Sequence, residues 1–198
     1  MLETSADIRV AEKRRRTLQA AWALVLRQGL RGTTMEALAR EAGIAKATLY
    51  AQFPDKDAMI AAVIDDWLIE LRTAFDKGMA ADGPVALRIA AALAGKYGII
   101  VRALEGSPHA NELFDEHYRF AARFAAFDAH VRAAITTELA QAGAADASRL
   151  AHTVIACAYG IVRKVSGAGE IDAAIRLMCR RMIEPEVGGY SPRPGSPA

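Results

Sequence analysis

Cysteine is nearly absent from this 198-residue chain: Cys157 and Cys179 are its two thiols, far apart and without metal-ligand spacing. That pattern offers neither a disulfide framework nor a zinc site. Both are read as small apolar core residues, with a redox sensor as the lesser alternative. Strand patterning is missing too, because the short apolar runs are alanine-rich and lack the β-branched alternation of a pleated sheet. No apolar run approaches the roughly 20 residues that span a bilayer. Lys13-Arg14-Arg15-Arg16 ahead of residues 20–26 resembles a signal peptide superficially, but Arg27 cuts the apolar stretch and no small-residue cleavage site follows. A soluble, cytoplasmic protein without a membrane partner is expected.

Catalytic signatures are equally scarce. There is no nucleophile elbow, no phosphate-cradling glycine loop and no helical His-Glu-x-x-His pair. A di-iron bundle wants Glu-x-x-His, and none of His109, His117, His130 and His152 has a glutamate three residues before it. His109 with Glu112, and Glu116 beside His117, are the remaining places that could invite a metal. No metal, cofactor or enzymatic activity is expected.

What is present is uneven charge. The formal net charge is only +2, yet residues 8–56 hold ten Lys/Arg and four acids, so this segment carries +6 and the remainder −4. A basic head on a mildly acidic body is the asymmetry of a chain whose one end meets a polyanion. The Lys13-Arg14-Arg15-Arg16 run is either a solvated helix face or, in part, a set of phosphate contacts.

Within that head, residues 33–56 predict two short helices joined by a tight turn. Thr33 followed by Glu36 matches a capping box. Helix two is expected over residues 34–42, with Leu38 and Ala39 inward, and Gly43 supplies the left-handed turn that ends it. Ile44 plugs the turn. Residues 46–52 make about two helical turns, with Leu49 and Phe53 on one face, packing back on Ala39 and helix one. Pro54 stops this helix and Asp55 caps the next. Such a unit can lay its second helix in the major groove while flanking donors hold phosphates.

The segment resembles the DNA-binding domain of the TetR (tetracycline-repressor) family of bacterial regulators. The resemblance covers roughly residues 10–65 and rests on the order and spacing of several pieces. These are a helix ending in Gly29, then Thr33-Thr34, Leu38-Ala39, Ala42-Gly43-Ile44, Thr48-Leu49-Tyr50, Phe53, Lys56 and Met59. Ala45 departs from the pattern where Ser or Thr usually caps the recognition helix, and Ala47 where Gly or Pro is frequent. A lost cap costs about 0.5–2 kcal/mol.

Expected DNA contacts are Thr33, Thr34, Lys46, Ala47, Thr48, Tyr50, Gln52 and Lys56. Lys46 suits guanine acceptors and Thr48 a thymine methyl or a phosphate. Tyr50 is read as giving its hydroxyl to a phosphate, with a purely structural tyrosine as the alternative. Thr34 and Lys56 sit at helix N-termini, which favour phosphate.

Behind the head, helix four runs over 56–77 with Met59, Val63, Trp67 and Leu71 inward. Asp82-Gly83-Pro84 and Ser107-Pro108 each open a further helix. The second stretch reaches about residue 142 and is broken once. Asp146 caps a helix to about 166, Gly167 breaks it, and a last helix covers 170–184. The fold class is therefore all-α: a three-helix DNA-binding head (8–55, helix-turn-helix at about 34–53) and a larger helical body (56–184). A tail, 185–198, holds four prolines and three glycines and is expected to be disordered.

The last two helices carry apolar stripes at spacings of three and four. Val154, Cys157, Ala158 and Ile161 lie on one, and Ile171, Ile175, Met178 and Met182 on the other. Either they cover their own core or they form a four-helix homodimer interface. The second is preferred, because two copies of a short reading helix on a two-fold axis demand a palindromic double-stranded operator. The resemblance implies the same pairing.

For a small-molecule effector the candidates are Tyr97, His109, Phe114, His117, Tyr118, Phe124, His152 and Tyr159, since aromatics with a few polar groups suit a mostly apolar ligand. The resemblance implies a ligand-responsive transcriptional regulator, a repressor in sign. A transcriptional activator of the same fold and a non-sensing nucleoid-type module are the alternatives.

Overall fold

The computed structural model of the chain describes residues 5–165 and 167–187, with the side chains at 5–8, 114 and 116–118 outside the description. Of the expected tail, 188–198 lie outside the described residues. Every regular element among those described is an α-helix: α1 Ser5–Gly32, α2 Met35–Glu41, α3 Lys46–Gln52, α4 Lys56–Met79, α5 Val85–Leu104, α6 Ala110–Arg119, α7 Ala121–Gln141, α8 Ala147–Lys164 and α9 Ala168–Ile183. The stretch from 107 to 142 breaks once, as expected, at Phe120. No described helix is long and apolar enough to cross a membrane.

The residues divide into two compact units, one of 1–69 with 104–124 and the other of 70–103 with 125–198. The first unit therefore takes in α6, which the sequence boundary at 55/56 assigns elsewhere. Its core joins Leu18, Ala21 and Leu24 of α1 to Met35, Leu38 and Ala39 of α2. Leu49, Phe53, Met59 and Val63 complete it. Burying leucine- or phenylalanine-sized side chains stabilises by about 1.5–3 kcal/mol each, so α2 and α3, at seven residues apiece, are held by packing rather than by their own propensity. Trp22 and Trp67 meet edge to face with centroids 4.4 Å apart.

In the second unit α8 and α9 pack on each other, and Asp146 caps α8 by accepting from the Arg149 N–H at 3.0 Å. The two apolar stripes turn inward here. Val154, Ala158 and Ile175 have 0% exposure and Ile171 1% within the single chain. These four belong to the protomer's own core, which corrects their reading as partner-facing residues. The cause is period: the stripe that looks like one face contains two, offset by about one residue. Cys157, Ile161, Met178 and Met182 are half-buried, while Ala156, Gly160, Ala173 and Leu177 are exposed. Cys179 is a core residue, and burial pushes its thiol up to about 12; Cys157 is half-buried.

Candidate nucleic-acid interface

The turn between α2 and α3 closes as its residues dictate. Gly43, at φ 64, lets its N–H donate to the Arg40 carbonyl at 3.2 Å and the Ile44 N–H to the Ala39 carbonyl at 3.0 Å. This pair of bonds is a Schellman closure, which a side chain with a Cβ would strain. Ile44 then packs against the head core. Ala45 caps α3 without any side-chain hydrogen bond. The helix is consequently fixed from beneath, by Leu49 at 0% and Phe53 at 2% exposure.

The outward face of α3 carries Lys46, Ala47 and Tyr50, all exposed, with Thr48 half-buried beside them. Lys46 forms an ion pair with Glu36 from the first turn of α2. Its ammonium also stands 5.8 Å from the Tyr50 ring centroid, a favourable cation–π placement. The hydrogen bond from Lys46 holds the Glu36 carboxyl below its ordinary range, and the same bond raises the Lys46 ammonium above its own.

Three expected contacts are placed differently. Thr33 is buried, with 2% exposure, and its hydroxyl donates to the Gly29 carbonyl at 2.7 Å. The cap of α2 is Thr34, whose hydroxyl accepts from the Ala37 N–H at 3.2 Å. The capping role shifts by one residue because Thr33 is drawn into the bend of α1 at Gly29, and that removes Thr33 from the phosphate-facing set. Lys56 is half-buried, and its ammonium donates to the carbonyls of Leu30 at 2.7 Å and Thr33 at 3.1 Å. It ties the end of α1 to the start of α4, charge-assisted at both bonds. Gln52 turns inward, with Oε1 buried and unpaired, so it does not present its amide to a base edge.

The effector candidates fall in both units. His109 and Phe124 fall in the first unit; Tyr97, His152 and Tyr159 in the second. His109 Nδ1 lies 3.5 Å from Glu112 Oε2, and its ring fills the notch beside Gly29. His152 is exposed. The side chains of Phe114, His117 and Tyr118 lie outside the described residues. Tyr97 is buried at 3% exposure, and burial raises its phenol well above the ordinary range.

Beside Tyr97 is a group the sequence reading passed over. Lys96 has 7% exposure, its ammonium 4.8 Å from the Tyr97 ring centroid and 5.0 Å from that of Phe127. Asp128 stands 4.0 Å away, and burial lowers the amine below its usual value. A signal was available: Lys96 follows Leu93 by three and Ile89 by seven, on the buried stripe of α5. No group of three or more described His, Cys, Asp or Glu side chains is arranged to hold a metal.

A basic helix-turn-helix head with an exposed α3, followed among the described residues by helices as its regular elements, is an arrangement suited to binding DNA. Residues 18–63 match the family model of bacterial regulatory proteins, tetR family. That match covers the head alone, which is similar over those residues to the DNA-binding domain of TetR-family transcription regulators. Solved structures agree in fold. A TetR-like transcriptional regulator from Rhodococcus sp. RHA1 is 20% identical, with 86% of this chain and 93% of that one covered at a TM-score of 0.68. A TetR-family regulator from Streptomyces coelicolor gives 18%, 89%, 96% and 0.69 in the same order. The ketosteroid transcriptional regulator KstR2 of Mycobacterium tuberculosis gives 19%, 89%, 95% and 0.64. No curated protein matches the sequence.

Proposed function

We propose that this chain is a cytoplasmic repressor that binds a palindromic operator as a homodimer and leaves it when a small, mostly apolar effector binds the body. DNA contact is assigned to residues 8–55, sensing and pairing to 56–184. The observation that carries the reading is the outward face of α3, where Lys46, Thr48 and Tyr50 stand over a fully buried Leu49. Three such groups read too few bases for genomic specificity, and a two-fold pair doubles them. Lys46 and Thr48 are the base-edge readers. Tyr50 and the free N–H groups beside Thr34 at the start of α2 hold phosphate, which positions the protein without carrying sequence information.

Lys46→Ala is expected to weaken operator binding by roughly 1–3 kcal/mol and to relax specificity at one position. Fluorescence anisotropy against operator and single-base variants measures both, and unchanged affinity and unchanged discrimination would reverse the orientation given to α3.

Pairing is assigned to the outward strip of α8 and α9: Ala156, Cys157, Gly160 and Ile161 on the first helix, Ala173 and Leu177 on the second. Leu177 is 51% exposed, and a Cβ placed on Gly160 would meet nothing within 4 Å, so a partner helix can approach closely. Gly160→Glu sets a carboxylate into that approach and is expected to yield monomer by sedimentation velocity, with unaltered helix content. A dimer of wild-type strength would move the interface elsewhere.

The effector reading rests on Tyr97 and Phe127 around the Lys96 ammonium, with the Phe75 ring edge-on to Phe127. Rings supply the apolar contact and the buried cation a single polar anchor. The effector would act by stabilising a body conformation in which the two heads of the dimer no longer match the operator spacing.

A further inference from the structure

An acid stands on the face that the proposed function, on which this inference rests, assigns to DNA. Glu36 occupies the first turn of α2. Its carboxylate holds the ammonium of Lys46, the first residue of α3. Side-chain exposures are 57% and 56%, so DNA has access to both groups. On a head whose ten Lys/Arg outnumber its four acids, a carboxylate at this place opposes the general attraction to phosphate. It also competes for the cation best placed to read a base.

We propose that Glu36 is a specificity-determining residue of the DNA-binding face: by pairing with Lys46 it keeps that lysine off the phosphates of non-cognate DNA and yields it only to a base edge. The exchange is unequal by geometry. A phosphate offers Lys46 one more anion in place of the one it has, and brings a negative charge against Glu36. A guanine offers two neutral acceptors, O6 and N7, deep in the groove, and reaching them draws the lysine away without setting phosphate on the carboxylate. The pair therefore taxes sequence-independent binding more than operator binding. The Tyr50 ring, its centroid 5.8 Å from the ammonium, offers a neutral attraction that remains when the carboxylate lets go.

The test uses full-length protein, the duplex that wild type enriches from a random-sequence library, and a scrambled duplex of equal length. Glu36→Gln keeps the shape and removes the charge. It is expected to tighten scrambled-duplex binding by about tenfold, to change operator binding less than threefold, and to steepen the scrambled-duplex salt slope by about 0.9, one added phosphate contact. In a Lys46→Ala background the same substitution should lose most of that gain.

Equal tightening on both duplexes, or a gain that survives without Lys46, overturns the proposal, because the effect is then bulk charge alone. Weakened operator binding with the scrambled duplex unchanged overturns it too, making Glu36 a direct reader. Failure of wild type to enrich any duplex would count instead against sequence-specific DNA binding itself.

Discussion

Leu49→Ala is expected to release the recognition helix. Leu49 has 0% exposure, is the one buried residue within α3, and sits in a seven-residue helix whose N-cap Ala45 makes no side-chain bond. A helix this short is unstable alone, and no side-chain cap at its N-terminus compensates. Truncation of a buried leucine costs about 2–5 kcal/mol, a large share of the stability of a small trihelical head. The second unit should persist, because the core cluster that holds Leu49 lies wholly within the first. Urea unfolding followed by far-UV circular dichroism should develop an early, low-amplitude phase, and operator binding should vanish at protein concentrations that saturate wild type. A single unfolding transition at the wild-type midpoint, with binding intact, would refute the claim that α3 is anchored from below.

Gly78→Ala is the second large effect, and it runs against helix propensity. Alanine in a helix interior ordinarily gains about 0.5–1 kcal/mol over glycine. A Cβ on Gly78 would however lie 2.6 Å from the Ala91 carbonyl carbon and closer still to the backbone of Ala92. The obstacle is main chain, which cannot rotate aside, so α4 and α5 must separate. Overpacking of this kind costs about 1–3 kcal/mol or more. Gly95→Ala is the control, since its Cβ would meet the Ala74 carbonyl oxygen at 3.3 Å and require only a small adjustment. Gly78→Ala should lower the melting temperature by several degrees, roughly 2–4 °C per kcal/mol in a chain of this size, and Gly95→Ala by much less. Equal melting temperatures for the two variants would mean that the helices separate freely.

Much of the head was legible because local signals agree with one another. Gly43, Ile44, Pro54 and Asp55 each determine their own neighbourhood: Asp55 Oδ1 accepts from the Ala58 N–H at 2.7 Å, as its place before a helix demands. The inward set Leu38, Ala39, Leu49 and Phe53 follows from period alone. What was misjudged depends on partners distant in sequence. Thr33 and Thr34 are adjacent threonines, and which one caps is decided by the Gly29 carbonyl four residues earlier. Lys56 looks like a free cation until the carbonyls of Leu30 and Thr33 come within reach. On α8 and α9, Val154 and Ile175 are as apolar as Leu177, and period cannot say which neighbour covers which face. Glu36 was read as half of a capping box; its contact with Lys46 needs the turn folded first.

The bend of α1 has a consequence for how this architecture can change. Gly29, at φ 71 and ψ 166, leaves a gap one hydrogen wide, and a Cβ there would stand 2.8 Å from His109 Nδ1 and 3.1 Å from Glu112 Oε2. Ser107 Oγ adds a bond to the Leu26 carbonyl at 2.7 Å. The start of α6 is thus seated against α1 at two neighbouring places, the Leu26 carbonyl and the notch at Gly29. Any displacement of residues 104–124 along α1 has to break the Ser107 bond and take the His109 ring off Gly29, or carry the first helix with it.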